Sequence, residues 1–431
     1  MRKILAVSYV PWKYRHGESS EKLRTALAEK FQAKAFLFAS GRESLLALLK
    51  AIRLKAGEEV IIQGYTCVVL PNAIHAAGGV PIYADIDEQT LNLTPASVEA
   101  CITPRTRAVI CQHTFGIPSD TKALREICDR YKILLIEDCA HILPSPLPAG
   151  RQANPLSRVE RGDVSAQTNS SQEIGKLGDV ILLSFGRDKA ISGIAGGGIV
   201  VRNASLAREV ELLEKTASDV SLREIIALLE YGPRMRCIVR PLIALGLHRP
   251  ILKILNGLGL FAPILTERER KGCASPLLRK IPNACAFLTL HSLSRLKAIN
   301  DHRRDLTTFY LDYGLRHGWP LLSGVQDHLP MQKFPLFVSN ASHVRAELRR
   351  QNIHLDDGWT GCVICPDTVE PHDAGYEEKM DPVAEKACLQ ILSLPTHPTM
   401  TMMQAQKLTR LIDDFFKQQL PQARRPAAES K

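Results

Sequence analysis

The chain has 431 residues, 45% hydrophobic and 23% charged, the balance of a soluble globular protein with room for a large core and two domains. A formal net charge of +10 suits anionic ligands or an anionic surface, but the basic residues are scattered and none of their runs marks a nucleic-acid-binding tail. The eleven cysteines are odd in number and irregularly spaced, which argues against a secreted disulfide framework. The first apolar run, within MRKILAVSYVPW, is too short for a signal peptide, and no stretch is long and apolar enough to span a membrane, so a cytoplasmic location is expected. Cys362 and Cys365 form a CxxC with no second pair or His-x-His nearby; it reads as a loop cysteine pair, and no metal is expected.

In chain order, residues 21–32 read as an amphipathic helix. FLFASGRESLLALLKAI follows: a strand ending near Ala39, a turn at Ser40-Gly41 and a helix from Arg42. Further apolar strands are expected at Glu59–Ile62, Pro81–Ala84, Ala108–Cys111, Leu134–Ile136, Val180–Phe185 and Gly198–Val201, with helices near 68–78, 95–102 and 120–131. This alternation predicts an α/β domain over residues 1–221 with a mostly parallel sheet. Residues 145–174, rich in Pro, Ser, Gly and charge, read as a long mobile loop. Residues 222–270 form an insertion whose stretch 222–266 is apolar with interleaved Arg, His and Lys; it reads as a helical subdomain on the body, with peripheral contact to an anionic membrane as the alternative. Residues 271–420 are expected to hold a long helix from Asn283 to Tyr313, a smaller α+β domain and a final helix at 401–417. The tail, 421–431, is expected to be disordered.

Open parallel sheets bind ligands beyond the carboxyl ends of their strands, and three features fall at such ends. Ser40-Gly41-Arg42 opens a helix, whose N-terminal N–H groups suit a phosphate, and Gly41 lets the backbone approach closely, although most such junctions bind nothing. In LLIEDCAH, residues 134–141, Asp138 stands just past a strand, where a carboxylate is either a helix cap or the partner of a protonated ring nitrogen. His141 is expected one helical turn on, within reach of that carboxylate or a bound ring. In LLSFGRDKAISGIAGGGIVV, residues 182–201, a strand ends at Ser184, a turn carries Lys189 and glycines follow. A turn lysine is ordinarily a solvated charge; beside a cationic ring and a phosphate it can form an imine and then shuttle a proton. Ser184 is placed to hold a phosphate oxygen.

Taken in this order, the segments resemble the DegT/StrS-type family of sugar aminotransferases, which depend on pyridoxal 5'-phosphate (PLP) and have fold type I. The resemblance rests on ASGRESL, GEEVIIQGYTC, PIYADIDEQTLNL, ITPRTRAVICQHTFG, IEDCAH, GDVILLSFGRDKAISGIAGGG and LSLPTHPTMT. Its most specific part is S-F-x-x-x-K before the glycines, with E-D-x-A-H upstream. It implies a mostly parallel central sheet flanked by helices, with a smaller C-terminal α+β domain. It also implies that Lys189 is the catalytic residue, holding PLP as an imine and moving a proton. Asp138 would pair with the pyridine nitrogen, Ser184 and the Gly41-Arg42 turn would hold the phosphate, and His141 would lie beside the ring. Glutamate would donate the amino group and a keto-sugar nucleotide would accept it, in polysaccharide or glycosylated-metabolite biosynthesis, within a homodimer whose active sites lie at the interface.

The sequence departs from the family pattern at three positions. Arg42 replaces the usual Thr, with its guanidinium as a substitute phosphate contact. Cys67 stands where an aromatic ring often covers the cofactor; either His113 or Tyr65 compensates, or the ring is held more loosely. Leu278 replaces the Asn that reaches the partner subunit's phosphate. Two competing readings follow. PLP-dependent sugar dehydration is opposed by Lys189, because family members of that type carry His there. A non-catalytic sensor or scaffold is supported by Cys67, Arg42 and the segment 222–266.

Overall fold

The computed structural model describes residues 14–145, 174–242, 246–355 and 358–423. Nearly all of the loop expected at 145–174, and the tail beyond residue 423, lie outside them. Strands and helices alternate as α1 (Ser19–Phe31), β1 (Lys34–Phe38), α2 (Gly41–Ala51), β2 (Glu59–Gln63), β3 (Thr66–Cys67), α3 (Val69–Ala76), β4 (Val80–Ala84), α4 (Pro95–Cys101), β5 (Thr106–Gln112), α5 (Thr121–Tyr131), β6 (Leu134–Asp138), β7 (Val180–Ser184), β8 (Gly197–Val201) and α6 (Ala204–Thr216). The strands are short Val/Ile/Leu runs buried on both faces, as a sheet covered by helices on each side requires. Alternate residues go to opposite cores. Ile62, Ile110, Ile136 and Leu182 face one cluster. Ile61, Val109 and Leu135 face a second, and Ile181 and Val200 a third.

The seven-stranded sheet has the order β1-β8-β7-β6-β5-β2-β4. Strands β7, β6, β5, β2 and β4 are parallel, and β8 alone runs antiparallel to both of its neighbours. The link from β7 to β8 therefore stays at the carboxyl edge of the sheet, and Lys189 lies on that link. Helix caps fix the turns. Thr94 and Asp120 accept N–H bonds from Ser97 and Ala123 at the starts of α4 and α5, satisfying donors that the first helical turn leaves open.

Beyond the sheet lie α7 (Leu222–Arg234), α8 (His248–Gly257), α9 (Glu267–Arg270), α10 (Asn283–Ser294) and α11 (Leu296–His317). The long helix expected from Asn283 is thus two helices, broken at Arg295 (φ −104°, ψ 7°). The two halves have different packing partners: α10 lies on α1, whereas α11 lies on the C-terminal helix. A bend lets each bury its own face. The C-terminal part comprises β9 (Lys333–Phe337), α12 (Ala341–Arg350), β10 (Ile364–Cys365), α13 (Pro382–Gln390), β11 (Ile391–Pro395) and α14 (Met402–Ala423). β9 and β11 form an antiparallel pair, and β10 adds in parallel to β3. One apolar core runs from the sheet face into this part, through Tyr310, Phe334, Leu394 and Ile412.

Candidate active site

The ends of β1, β6 and β7 and the start of β8 meet at the carboxyl edge of the sheet. Ser40, in extended backbone (φ −156°, ψ 162°), caps α2 by accepting from the Glu43 N–H. The N–H groups of Gly41 and Arg42 then open the helix without an intrahelical acceptor. A Cβ on Gly41 would lie 3.1 Å from Ser184 Cβ and 3.3 Å from Ser184 Oγ, and a Cβ on Gly197 would lie 2.3 Å from Gly41 N. Glycine at both positions leaves a cradle of backbone N–H groups beside a serine hydroxyl, a setting suited to a phosphate.

Asp138 ends β6, in register with Gln112 on β5 and Leu182 on β7. Its carboxylate is buried and accepts from the Ala140 N–H at 2.9 Å. Burial pushes its pKa up, and the Ala140 N–H and the charges of Lys189 and His113 offset only part of this. Such a carboxylate is stabilised by a cation placed against it. Residues 139–145, which directly follow β6, are irregular and not helical, which corrects the placement of His141 one helical turn from Asp138. His141 instead reaches the site along the loop. Its Nδ1 accepts from the Phe115 N–H at 3.1 Å, and its ring stacks on Phe115 and meets Trp359 edge-on. Burial, then the charges of Lys189, Lys333 and His113, hold its pKa well below the usual range. The ring is therefore neutral, with its proton on Nε2.

Lys189 is half-buried, and its charge reaches both Asp138 and His141. Three side chains outside the sheet hold its turn. Arg303, almost fully buried on α11, donates to the carbonyls of Ala190 and Lys189. Gln332 Nε2 donates to the Asp188 carbonyl. Arg187 lies over the Tyr231 ring, 3.6 Å from its centroid, and donates to the Ala262 carbonyl at 2.7 Å. The sequence reading missed Arg303, Gln332 and Trp359. Arg303 and Gln332 carry no local motif. Trp359 had a weak signal, its position between Gly358 and Gly361, both in the left-handed region (φ 75° and 83°).

Several expectations are corrected. The Arg42 guanidinium pairs with Glu269 on α9, so it is taken up by a carboxylate rather than substituting for a threonine at a phosphate. Neither His113 nor Tyr65 is free to cover a ring above Cys67. His113 is fully buried, with Nδ1 accepting from Ser119 N–H and Nε2 facing Glu137. The Tyr65 hydroxyl donates to the Trp359 carbonyl at 2.6 Å. Cys67 pairs with Cys365 across the β3–β10 ladder, and Trp359, on the segment leading to β10, supplies the aromatic surface beside His141. Leu278 is half-buried next to exposed Leu277.

His113, Glu137 and Cys139 bring donor atoms within 4.8 Å of one another, but His113 and Glu137 are already engaged in hydrogen bonds. Glu137 accepts from the N–H groups of Gly175, Leu177 and Gly178. Burial works against its ionisation, and His113 with these N–H groups outweighs it. Burial holds the Cys139 thiol protonated. The cluster ties β6 to the segment that begins at residue 174. Cys362 and Cys365 are free thiols with sulfurs 3.7 Å apart.

Residues 4–236 and 276–413 match the model of the DegT/DnrJ/EryC1/StrS aminotransferase family. The chain belongs to this family. It is 35% identical over 202 residues to an L-glutamine:2-deoxy-scyllo-inosose aminotransferase of Streptoalloteichus tenebrarius, covering 46% of this chain and 42% of that protein. It is 30% identical over 181 residues to a UDP-N-acetyl-3-dehydro-alpha-D-glucosamine 3-aminotransferase of Acidithiobacillus ferrooxidans, covering 42% of this chain and 43% of that protein. The matches thus span less than half the length of these curated relatives. Among solved structures, an aminotransferase from Psychrobacter cryohalolentis aligns with a TM-score of 0.69 at 18% identity, over 97% of this chain and 96% of that one. NtdA from Bacillus subtilis, with its cofactor PMP bound, aligns with a TM-score of 0.67 at 21% identity, over 96% of this chain and 82% of that one. The family's fold is the one expected from the sequence, a mostly parallel sheet flanked by helices.

Proposed function

We propose that the protein is a PLP-dependent aminotransferase that moves an amino group from glutamate to the keto group of a nucleotide-linked sugar. The observation that carries this reading is the convergence of Lys189, buried Asp138 and the Gly41/Ser184/Gly197 cradle on one edge of the sheet. Sugar and cyclitol aminotransferases among the relatives support the acceptor class.

The residues present fit the cofactor. Glycine at 41 and 197 lets β8, the end of β7 and the start of α2 pack backbone to backbone, which sets the first N–H groups of α2 beside Ser184 Oγ as phosphate donors. The Asp138 carboxylate needs the cation that a protonated pyridine provides. Bound there, PLP supplies an electron sink for the pair left when the donor's Cα–H bond breaks. Lys189 Nζ would hold the cofactor, and its free amine would take the proton from the donor Cα. Asp138 keeps the ring nitrogen protonated. Ser184 Oγ and the N–H groups of Gly41 and Arg42 hold the phosphate. Neutral His141 offers an Nε2–H to a polar group beside the ring. Over the full cycle the donor leaves as its 2-oxo acid, and the acceptor's keto oxygen is exchanged for an amine.

All eleven cysteines are free thiols, which supports a reducing, cytoplasmic setting. The family resemblance supports a homodimer. The test is the absorbance spectrum of the protein with PLP, for wild type and Lys189→Ala, before and after glutamate, with glutamine as a parallel donor. Wild type should show the visible band of a lysine-bound imine, and glutamate should bleach it to that of the amine form. Lys189→Ala should show neither, with kcat lower by about 10⁴-fold or more. A wild-type band that only glutamine bleaches would replace the donor; no band would overturn the reading.

A further inference from the structure

The family model leaves residues 237–275 unmatched. The base of this stretch is anchored. On α7, Ile225, Leu228 and Leu229 are buried, and Phe261 and Leu265 are buried where the stretch returns. Arg223 donates to the Leu258 carbonyl at 3.0 Å and Arg234 to that of Leu260. Its outer part is different. Leu247, Ile254 and Leu258 are 49%, 56% and 57% exposed. All three have helical backbone or flank α8 in it, and spacings of seven and four residues place them on one narrow stripe. Ile238 and Ile264 add exposed apolar surface at 41% and 64%.

Between Glu230 and Glu267 the sequence carries charge of one sign, with no acidic residue and five Lys or Arg. Of these, Arg236, Arg240 and Lys253 are exposed. Lys253 lies about 120° around α8 from the stripe, at its polar flank. An apolar stripe one helix wide, in a segment whose charged residues are all basic, matches a bilayer interface: the stripe enters the acyl boundary and the basic groups reach anionic headgroups. A soluble partner or second copy would need acidic groups to match, and this stretch offers none to a copy of itself. Among the described residues no helix is long and apolar enough to cross a membrane, so the contact is peripheral.

We infer that α8 and its flanks dock the protein on an anionic lipid surface. Arg187, two residues before Lys189, touches Tyr231 at the base of this stretch and Ala262 within it, so docking brings the site's edge near the membrane. The inference does not depend on the proposed reaction, because its readout is binding alone.

The test is flotation of the full chain with vesicles of phosphatidylcholine, alone or with about a third phosphatidylglycerol. Binding should appear only with the anionic vesicles and be lost at high salt. Arg240→Glu with Lys253→Glu should weaken it by roughly 25-fold or more. Ile254→Asp with Leu258→Asp should abolish it, with activity and thermal midpoint unchanged because both side chains are exposed. No flotation of wild type at low salt would overturn the inference. So would undiminished binding by both variants. A change in sedimentation of the Ile254→Asp/Leu258→Asp protein without vesicle binding by wild type would assign the face to contacts between copies instead.

Discussion

Arg303 Nη1 donates to the Ala190 carbonyl at 3.0 Å and Nη2 to the Lys189 carbonyl at 3.4 Å, so one buried guanidinium holds the backbone of the candidate catalytic lysine. Burial alone lowers its pKa to about 10, still well above neutrality, so it stays charged. Lysine is a point donor and cannot span two carbonyls as the planar fork does. Arg303→Lys should therefore lower kcat by about 10–100-fold while the donor's KM changes by less than about threefold. The cofactor's visible band should form but titrate over a shifted pH range. Unchanged kcat with a lower thermal midpoint would assign Arg303 a purely structural role.

The ion pair between Arg42 and Glu269 gives a second prediction. Both side chains are largely buried, so removing one charge strands the other. Glu269→Gln should cost about 2–4 kcal/mol in urea unfolding, and the double variant with Arg42→Thr should recover most of it. PLP affinity in Arg42→Thr should stay within about threefold of wild type, because the guanidinium is spent on Glu269 and not on the phosphate. A loss of 10-fold or more would return Arg42 to the cofactor.

The cradle makes two glycines unequal. A Cβ at Gly197 would lie 2.3 Å from the backbone nitrogen of Gly41, whereas one at Gly186 meets nothing nearer than Lys189 Cγ at 3.5 Å. Gly197→Ala should force β8 and α2 apart, destabilise by about 3 kcal/mol or more and weaken PLP binding. Gly186→Ala should stay within about 1 kcal/mol. Equal thermal midpoints for the two variants would contradict this packing.

Asp381 sets a pH dependence. It is buried against Gly64 near the start of α13. Burial, then the negative charges of Asp85 and Glu385, push its pKa from 3.8 to about 7. Between those values the folded state binds more protons than the unfolded one, so stability falls as pH rises through this window. Wild type should lose roughly 2–4 kcal/mol from this group between about pH 4 and pH 8, and Asp381→Asn should flatten that slope. Parallel pH profiles in urea denaturation would show that Asp381 is not the cause.

Much of the fold was legible because its strands are local apolar runs. EVII, AVIC, LLI and VILLSF read as strands from composition and bounding turns, and the sheet has strands there, with ends shifted by one or two residues. The candidate site was legible where its chemistry sits at strand ends: Gly41, Asp138, Ser184 and Lys189 lie at one edge because parallel strands all point their carboxyl ends the same way. The helix break at Arg295 was not legible, because it depends on which elements α10 and α11 meet and not on a Gly or Pro. His141 was placed on a helix that does not form. After Asp138 the chain instead runs on as loop, where Phe115 N–H and Trp359, distant in sequence, fix the ring.

The sequence by itself determined the order of elements, the family and the residues able to carry the chemistry, since these depend on local pattern and motif. Only the tertiary structure decided what each of those residues is free to do. Arg42 is paired by Glu269, His113 by Glu137 and Tyr65 by a backbone carbonyl, while Lys189 is held by Arg303 from a helix more than a hundred residues away. Hydrogen bonds and ion pairs act over a few ångströms of space whatever the separation along the chain, so the availability of a side chain is a property of the folded neighbourhood and not of the motif that contains it.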